Sequence, residues 1–212
     1  MAKEQAFFAM TDRTRYIQRW SLMRNAQTEN LAEHSFQTAV IAHGLAVIRK
    51  VRFPELVPRL DEREVMARAL YHDLSEVITG DLPTPVKYHD PELQAAYKKI
   101  EALASADLLH MLPEDLRTAY APLLADPSAA ETDPTEHAIT RMVKAADKLS
   151  AYVKCQSELS QGNQEFREAM VSTLSKLKAM QMPEVEVFLA EFAPAFSLSL
   201  DKLRHGDVAP QT

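Results

Sequence analysis

The stretch that decides the fold is ALYHDLSEVITGDLPTP, residues 69–85. It brings a histidine and several carboxylates together at the end of an otherwise apolar helix. His72 and Glu76 are four residues apart and would share a helical face, with Asp73 about 100° further round. Gly80 predicts the helix end, and the prolines beyond it stiffen the exit. A lone His-Asp pair is more often structural than functional, so a site here depends on further ligands elsewhere in the chain.

Length and composition limit the class of protein. The 212 residues are 46% hydrophobic, which suits one buried core, and we expect one domain over residues 1–212. The formal charge of −6 gives no electrostatic reason to bind nucleic acid, although a small anion needs only a local cationic pocket. Cys155 is the one cysteine, which excludes an internal disulfide. With no signal peptide and no membrane-spanning run, these features predict a cytoplasmic protein without a membrane partner.

Helical spacing recurs along the chain and predicts an all-α fold. There are only four glycines, and no segment alternates polar and apolar residues with period two. The predicted helix starts are the capping boxes Asn30–Glu33, Asp61–Glu64 and Asp133–Glu136, and Asp90 followed by Pro91. Residues 3–18 are predicted as a first helix. Further helices are expected at about 164–181 and 184–204, the last kinked by Pro194, before a loose tail at 206–212.

Four candidate metal ligands lie on three of these helices. His34 stands at the start of the apolar face of the second helix, and His72 and Asp73 end the third. Asp147 lies between small residues on an inward face, where a buried carboxylate needs a partner. Two imidazoles and two carboxylates suit a first-row divalent ion such as Mn, Co, Fe, Ni or Zn, whereas calcium prefers oxygen ligands alone.

Longer motifs surround these ligands, within about residues 15–155. They are Arg19-Trp20, Leu22–Asn25, Thr28–Asn30, Glu33–Ser35, Tyr71–Asp73, Ser75-Glu76, Thr79–Lys87 and Ala146-Asp147, with a weaker continuation at Phe196–Asp201. Together they resemble the HD-domain phosphohydrolase superfamily, and within it the bacterial 5′-deoxynucleotidase (YfbR-like) branch. Ala32, where a serine is expected, is the one departure, and it does not touch the chemistry.

The resemblance implies a single-domain helical bundle of the HD type with a metal in a cleft between helices, and a homodimer. It implies hydrolysis of deoxyribonucleoside 5′-monophosphates to deoxynucleoside and phosphate. The implied metal ligands are His34, His72, Asp73 and Asp147, and the implied cofactor is a divalent transition metal, Co²⁺ or Mn²⁺ foremost. A bound ion of this kind polarises phosphoryl oxygens and lowers the pKa of bound water.

The remaining candidate residues are assigned to the substrate. Arg19 is the candidate partner of the phosphate, because a guanidinium pairs with phosphate oxygens bidentately. Glu76 is the candidate general acid/base, and Trp20 is the candidate wall that excludes a ribose 2′-hydroxyl. The other candidate substrate contacts are His34, Asp73, Asp81, Leu82, Pro83, Thr84 and Lys87. No group is evident that would read the base, so broad base specificity is expected.

Three alternatives remain open at this point. Another HD-type phosphohydrolase could act on a nucleoside triphosphate or a signalling nucleotide, although three phosphates would need more cations than the motifs offer. A catalytically silent helical domain that binds metal or nucleotide would have lost a ligand or Glu76, and every expected position is filled. A helical DNA-binding regulator would carry a basic helix, against the acidic balance.

Overall fold

α-Helices make up most of the computed structural model, which describes residues 5–83, 86, 90–125 and 133–205. In chain order they are α1 (Phe7–Asp12), α2 (Leu31–Arg52), α3 (Glu62–Tyr71), α4 (Glu76–Thr79), α5 (Pro91–His110), α6 (Glu114–Tyr120), α7 (Pro134–Ser160), α8 (Arg167–Ala179), α9 (Pro183–Val187) and α10 (Leu200–His205). Within those residues there is no strand, only an isolated β-bridge between Gln18 and Asn30. The all-α prediction is confirmed.

The helix starts follow from side chains that cap free backbone N–H groups. At α2, the side chain of Asn30 accepts from the backbone N–H of Glu33, and the side chain of Glu33 accepts from the backbone N–H of Asn30. Both distances are 3.1 Å, and the pair forms the predicted capping box. At α5, the side chain of Asp90 accepts two N–H groups and Pro91 takes the first helical position. Local sequence therefore fixes both starts.

The other two predicted capping boxes are only half formed. Asp61 and Asp133 each accept a backbone N–H as N-caps, but Glu64 and Glu136 do not complete the box. Both glutamates instead accept hydrogen bonds from Arg68, Glu64 at 2.8 Å and Glu136 at 2.6 Å. Arg68 thus ties α3 to α7, and a contact between helices replaces the local one.

The helix that carries the His-Asp motif is interrupted, contrary to the prediction of one helix from His72 to Glu76. α3 ends at Tyr71, and residues 72–75 form a tight turn before α4. The N–H of Leu74 bonds to the carbonyl of Tyr71 and that of Glu76 to the carbonyl of Asp73, three residues back in each case. The His72 ring bonds to the Ala69 carbonyl at 2.8 Å. Gly80 ends α4 at a positive φ of 74°, as predicted.

Two predicted helices are shorter than expected. The helix predicted over 3–18 is α1 followed by a 3₁₀ turn at Arg13–Tyr16. The helix predicted over 184–204 is broken into α9, a π-helical turn at Phe188–Phe192, a 3₁₀ segment at Ala193–Ser197, and α10. Pro194 lacks an N–H and its ring opposes a regular turn, so the break falls beside it. The predicted tail at 206–212 lies outside the described residues.

The turn at residues 72–75, called the motif turn below, lies between two hydrophobic clusters. The larger cluster joins α2, α3, α7 and α9 and includes the fully buried Leu45, Ala69 and Leu149. The smaller cluster includes Phe7 and Leu74 and packs beside α5. Ala69 lies on one side of the turn and Leu74 on the other, so the turn between them is anchored at both ends. No helix in the described part of the chain has the length and apolar character to cross a membrane.

Candidate metal centre

His34 lies in the first turn of α2 with 1% of its surface exposed. Its Nδ1 is 3.1 Å from the Oγ of Ser150 on α7, and that Oγ is 2.7 Å from the side-chain Oε1 of Gln37. An amide oxygen only accepts, so the Ser150 hydroxyl donates to Gln37 and accepts from the Nδ1–H of His34. This arrangement leaves the Nε2 lone pair of His34 for another partner.

His72 is fixed in the same sense by the backbone. Its Nδ1 is 2.8 Å from the Ala69 carbonyl, which can only accept, so the ring proton lies on Nδ1. Its Nε2 is buried and faces the Oδ2 of Asp73 at 2.9 Å without the alignment of a hydrogen bond. A ring nitrogen held this way by a carbonyl behind it is typical of metal-ligating histidines.

The two rings and Asp147 converge. One ligand atom from each of His34, His72 and Asp147 lies within 4.8 Å of the others. The Nε2 of His34 is 3.3 Å from the Oδ1 of Asp147 and 3.9 Å from the Oδ2 of Asp73. Lone pairs of two imidazoles that face carboxylate oxygens repel them unless a cation lies between. The three converging donors fit a first-row divalent ion. Asp73, the fourth predicted ligand, lies beside this group but is not part of it.

The electrostatics differ between the two candidate histidine ligands. Burial, together with the Arg19 charge, lowers the pKa of His34, so this ring is neutral near pH 7. Burial opposes the charged form of His72, but the Asp73 carboxylate outweighs it and raises the pKa of that ring. Burial would raise the pKa of Asp147, but the neighbouring His34, His72 and Arg19 side chains outweigh burial and lower it. Asp147 is ionised, whereas the raised pKa of His72 favours a proton on its Nε2, which a bound metal would have to displace.

Arg19 borders the cluster with a largely buried guanidinium. Its Nε donates to the Oε1 of Glu29 at 2.9 Å, and its Nη1 lies 3.7 Å from the Oδ2 of Asp73. Burial would lower the pKa of Arg19, but the carboxylates of Asp73, Asp147, Glu29 and Asp81 outweigh it and raise that pKa. A permanent cation is thus held at the rim of an acidic site.

Trp20 follows Arg19 in an unusual backbone conformation. Its φ is +56°, a backbone conformation that residues other than glycine rarely adopt. Its ring lies 5.3 Å from the ring of Phe166, centroid to centroid, and its Nε1 is buried without a hydrogen-bond partner. One face of the indole is therefore core, packed against the segment after α7.

The predicted catalytic and turn residues lie after the motif turn. Glu76 begins α4 and is 5% exposed. The Asp81 carboxylate contributes to the raised pKa of Arg19, so the turn after Gly80 lies near the site. The Tyr97 hydroxyl lies 3.0 Å from the Gly80 carbonyl and braces this turn from α5. Leu82 and Pro83 are half-buried beside it, whereas Thr84 and Lys87 lie outside the described residues.

Three residues of the site were not assigned a role from the sequence. Ser150 and Gln37 orient His34, and Glu29 orients Arg19. Ser150 follows Asp147 by three residues on one helical face, which is the one local signal that could have marked it. These three side chains act by contacting His34 or Arg19, and sequence spacing alone does not mark such contacts.

The fold of the described residues matches that of solved HD-domain phosphohydrolases. An HD-domain phosphohydrolase from Listeria innocua matches with a TM-score of 0.74 at 22% identity, over 93% of this chain and 91% of that one. The cyanophage S-2L HD phosphohydrolase, solved with dA and one catalytic Zn²⁺, matches with a TM-score of 0.56 at 18% identity, over 88% of this chain and 95% of that one.

Sequence comparison then gives the family. The model of the YfbR-like 5′-deoxynucleotidases matches residues 6–196. A 5′-deoxynucleotidase from Erwinia tasmaniensis is 47% identical over 197 residues, 93% of this chain and 95% of the relative. One from Vibrio parahaemolyticus is 47% identical over 201 residues, 95% of this chain and 99% of the relative. The chain belongs to the YfbR-like 5′-deoxynucleotidase family of enzymes, and the resemblance seen in its motifs is confirmed.

Proposed function

We propose that this protein hydrolyses deoxyribonucleoside 5′-monophosphates to the deoxynucleoside and phosphate. The observation that carries the proposal is the convergence of His34, His72 and Asp147 beside the buried guanidinium of Arg19. Such a pairing of metal ligands with a phosphate-binding cation is what phosphoryl transfer needs. The relatives in Erwinia and Vibrio carry the name of this activity.

The metal ligands in this proposal are His34, His72, Asp73 and Asp147. A divalent ion held there supplies Lewis acidity to the phosphoryl oxygens and a more acidic water. The ion proposed first is Co²⁺ or Mn²⁺, as the family resemblance implies, and the same donor set also suits Fe, Ni or Zn. The side chains of Ser150 and Gln37 keep His34 in the ligand tautomer.

Arg19 and Glu76 act directly on the substrate. Arg19 pairs with a phosphate oxygen through its Nη groups, since its Nε is already bound to Glu29. Glu76, buried at the start of α4, donates a proton to the leaving 5′-oxygen.

The sugar and base are recognised unequally. We assign Trp20 to the wall of the sugar pocket, where its ring excludes a 2′-hydroxyl and so selects against ribonucleotides. Asp81, Leu82 and Pro83 contact the sugar or phosphate from the braced turn, with Thr84 and Lys87 beyond them in the chain. The base has no assigned reader, so the proposed specificity is broad across the four bases.

Two further features are proposed with the activity. Family resemblance supports a homodimer, for which sedimentation velocity gives the mass directly. A buried free thiol at Cys155 is compatible with a reducing compartment, and we propose a cytoplasmic location. The substrate is a small molecule, and neither nucleic acid nor membrane is a proposed partner.

The decisive experiment measures phosphate release from dAMP, dTMP, AMP and dATP by the same preparation. The protein is stripped with chelator and resupplied with Mn²⁺, Co²⁺, Mg²⁺ or Zn²⁺ in turn. Release from the two deoxynucleotides but not from AMP, and only with added metal, is the expected result. Release of triphosphate or of phosphate from dATP, with none from the monophosphates, would favour the alternative of a triphosphate substrate.

Controls separate failure of the enzyme from failure of the proposal. Metal content is measured on each sample, so that silence with a loaded site contradicts the proposed substrate class. Equal release from dAMP and AMP would retain the phosphatase and remove the role given to Trp20.

A further inference from the structure

A buried ion pair lies at the far end of α7, away from the metal ligands. Glu158 is fully buried and Lys154 is 7% exposed. The Nζ of Lys154 donates to the Oε1 of Glu158 at 2.5 Å and also to the carbonyl of Gln27. A buried pair of this kind is costly unless its remaining hydrogen-bonding capacity is met. What meets it is the loop that carries Arg19 and Trp20.

The Glu158 carboxylate holds the outer part of that loop. Its Oε2 accepts from the backbone N–H of Ala26 at 2.7 Å and from the Nδ2 of Asn163 at 2.7 Å. Its Oε1 accepts from the N–H of Gln27 at 3.1 Å in addition to Lys154. Each oxygen therefore accepts two hydrogen bonds, which is the capacity of an ionised carboxylate. The loop is pinned to α7 by one side chain 131 residues further along the chain.

The base of the same loop is tied separately. The N–H of Leu31 bonds to the carbonyl of Ile17, and the N–H of Arg19 bonds to the carbonyl of Glu29, both at 2.9 Å. These bonds close residues 17–31 into a loop with its ends together. Trp20 comes directly after the closed base, between the tied ends and the part held by Glu158.

A chain of contacts joins the ion pair to Trp20. The ammonium of Lys154 lies 5.6 Å from the centre of the Phe166 ring. The Trp20 ring packs against the same Phe166 ring, with 5.3 Å between the ring centres. Trp20 also keeps a φ of +56°, which costs about 1–2 kcal/mol for a residue with a side chain. Such a conformation persists only where its surroundings fix it, and here the surroundings are the loop and Phe166.

We propose that Glu158 is a positioning residue that holds Trp20 in place through the loop and through Lys154 and Phe166, and thereby sets the discrimination between deoxyribo- and ribonucleotides. The proposal rests on the proposed function, since it needs Trp20 to border the sugar. Glu158 itself touches neither substrate nor metal. A loosened loop would let the indole withdraw and admit the 2′-hydroxyl.

The test variant is Glu158→Gln, which keeps the shape of the side chain but turns one acceptor into a donor. We expect the ratio of kcat/KM for dAMP over AMP to fall roughly tenfold, because small displacements of a positioning group have effects of this order. Metal content should not change, since the metal ligands are not moved. Glu168→Gln, an exposed glutamate on α8, is the matched control and should leave the ratio at the wild-type value.

A second measurement does not depend on activity. Trp20 is the only tryptophan, so intrinsic fluorescence reports its surroundings alone. In Glu158→Gln we expect a red-shifted emission and stronger quenching by acrylamide, and in Glu168→Gln neither. If Glu158→Gln does not fold, Asn163→Ala removes one of the four donors to the carboxylate and should give a smaller change of the same kind.

The outcomes distinguish the positioning role from the proposed function. Unchanged fluorescence and an unchanged dAMP/AMP ratio in a folded variant would reduce the ion pair to a stabilising contact and overturn the proposal. Changed fluorescence with an unchanged ratio would also overturn it, because Trp20 would then move without affecting the sugar. Wild-type protein inactive on every nucleotide would refute the proposed function, while the fluorescence would still decide whether Glu158 holds Trp20.

Discussion

Replacing Ser150 by alanine tests how the protein orients His34, a proposed metal ligand. Ser150 accepts the Nδ1–H of His34 at 3.1 Å and donates to Gln37 at 2.7 Å, inside a region closed to water. Without the hydroxyl, the Nδ1–H would be left unsatisfied, at a cost of about 1–3 kcal/mol. The ring can avoid that cost by moving its proton to Nε2, where the Oδ1 of Asp147 lies 3.3 Å away.

Because of this change of tautomer, we expect the mutation to affect metal affinity much more than the stability of the fold. In the metal-free protein, the new bond to Asp147 compensates for the lost one, so we expect a small change in the free energy of unfolding. Metal binding would have to reverse the change of tautomer, because Nε2 is the proposed ligand atom. Loss of such an outer contact typically lowers metal affinity about 10–100-fold, or roughly 1.4–2.8 kcal/mol.

The assay is competition between the protein and a fluorescent chelator for Co²⁺ or Mn²⁺ at fixed pH. Ser160→Ala changes an exposed serine at the end of the same helix and is the matched control. Nitrogen-15 spectra of the histidines read the tautomer directly in the metal-free state. Wild-type metal affinity in Ser150→Ala, or a His34 ring that keeps its Nδ1–H there, would refute the reasoning.

Three other predictions concern the chemistry and the ion pair. Glu76→Gln should bind metal normally but lower kcat about 10²–10⁴-fold; wild-type turnover would remove Glu76 from the mechanism. Asp147→Asn and His72→Ala should each lose metal, by elemental analysis, and activity with it; full metal content in either would disqualify that ligand. Burial favours the neutral acid in Glu158, but its bonds to Lys154 and the loop amides outweigh burial and lower its pKa from the usual 4.5 to about 2. The ionised Glu158 therefore stabilises the fold fully above pH 4.5, and this stabilisation is lost as the pH falls towards 2. In urea unfolding, we expect the free energy of unfolding of Glu158→Gln to be about 3 kcal/mol below that of the wild type at pH 7, and equal to it in acid. A difference that does not change with pH would contradict this.

Much of the site could be predicted from the sequence because its ligands lie where local rules apply. Asn30 sets the start of α2 through a capping box, and this puts His34 in the first turn, facing inward. Asp147 stands out as a carboxylate among small residues on the inward face of α7. The order of the motifs then indicated the family, which the comparisons confirm.

The parts that could not be predicted depend on contacts between distant segments. Lys154 and Glu158 are four residues apart on a helix and look like an exposed ion pair, yet their partners Ala26 and Gln27 lie on another segment. The break after Tyr71 was hidden because the helical pattern continues through it. In each case a side chain satisfies a backbone group, which residue spacing alone does not reveal.

The charges around Arg19 give the order in which the site can be filled. Four carboxylates, those of Asp73, Asp147, Glu29 and Asp81, act on this guanidinium. A phosphate dianion brought into such surroundings meets more negative than positive charge, so Arg19 alone gives it no net attraction. A divalent cation held by His34 and the aspartates would offset part of that excess and would compete with Arg19 for the Asp73 carboxylate. The same acidic character that suits the site to a metal should therefore make substrate binding depend on the metal, and we expect Arg19 to pair with phosphate only in the metal-loaded protein.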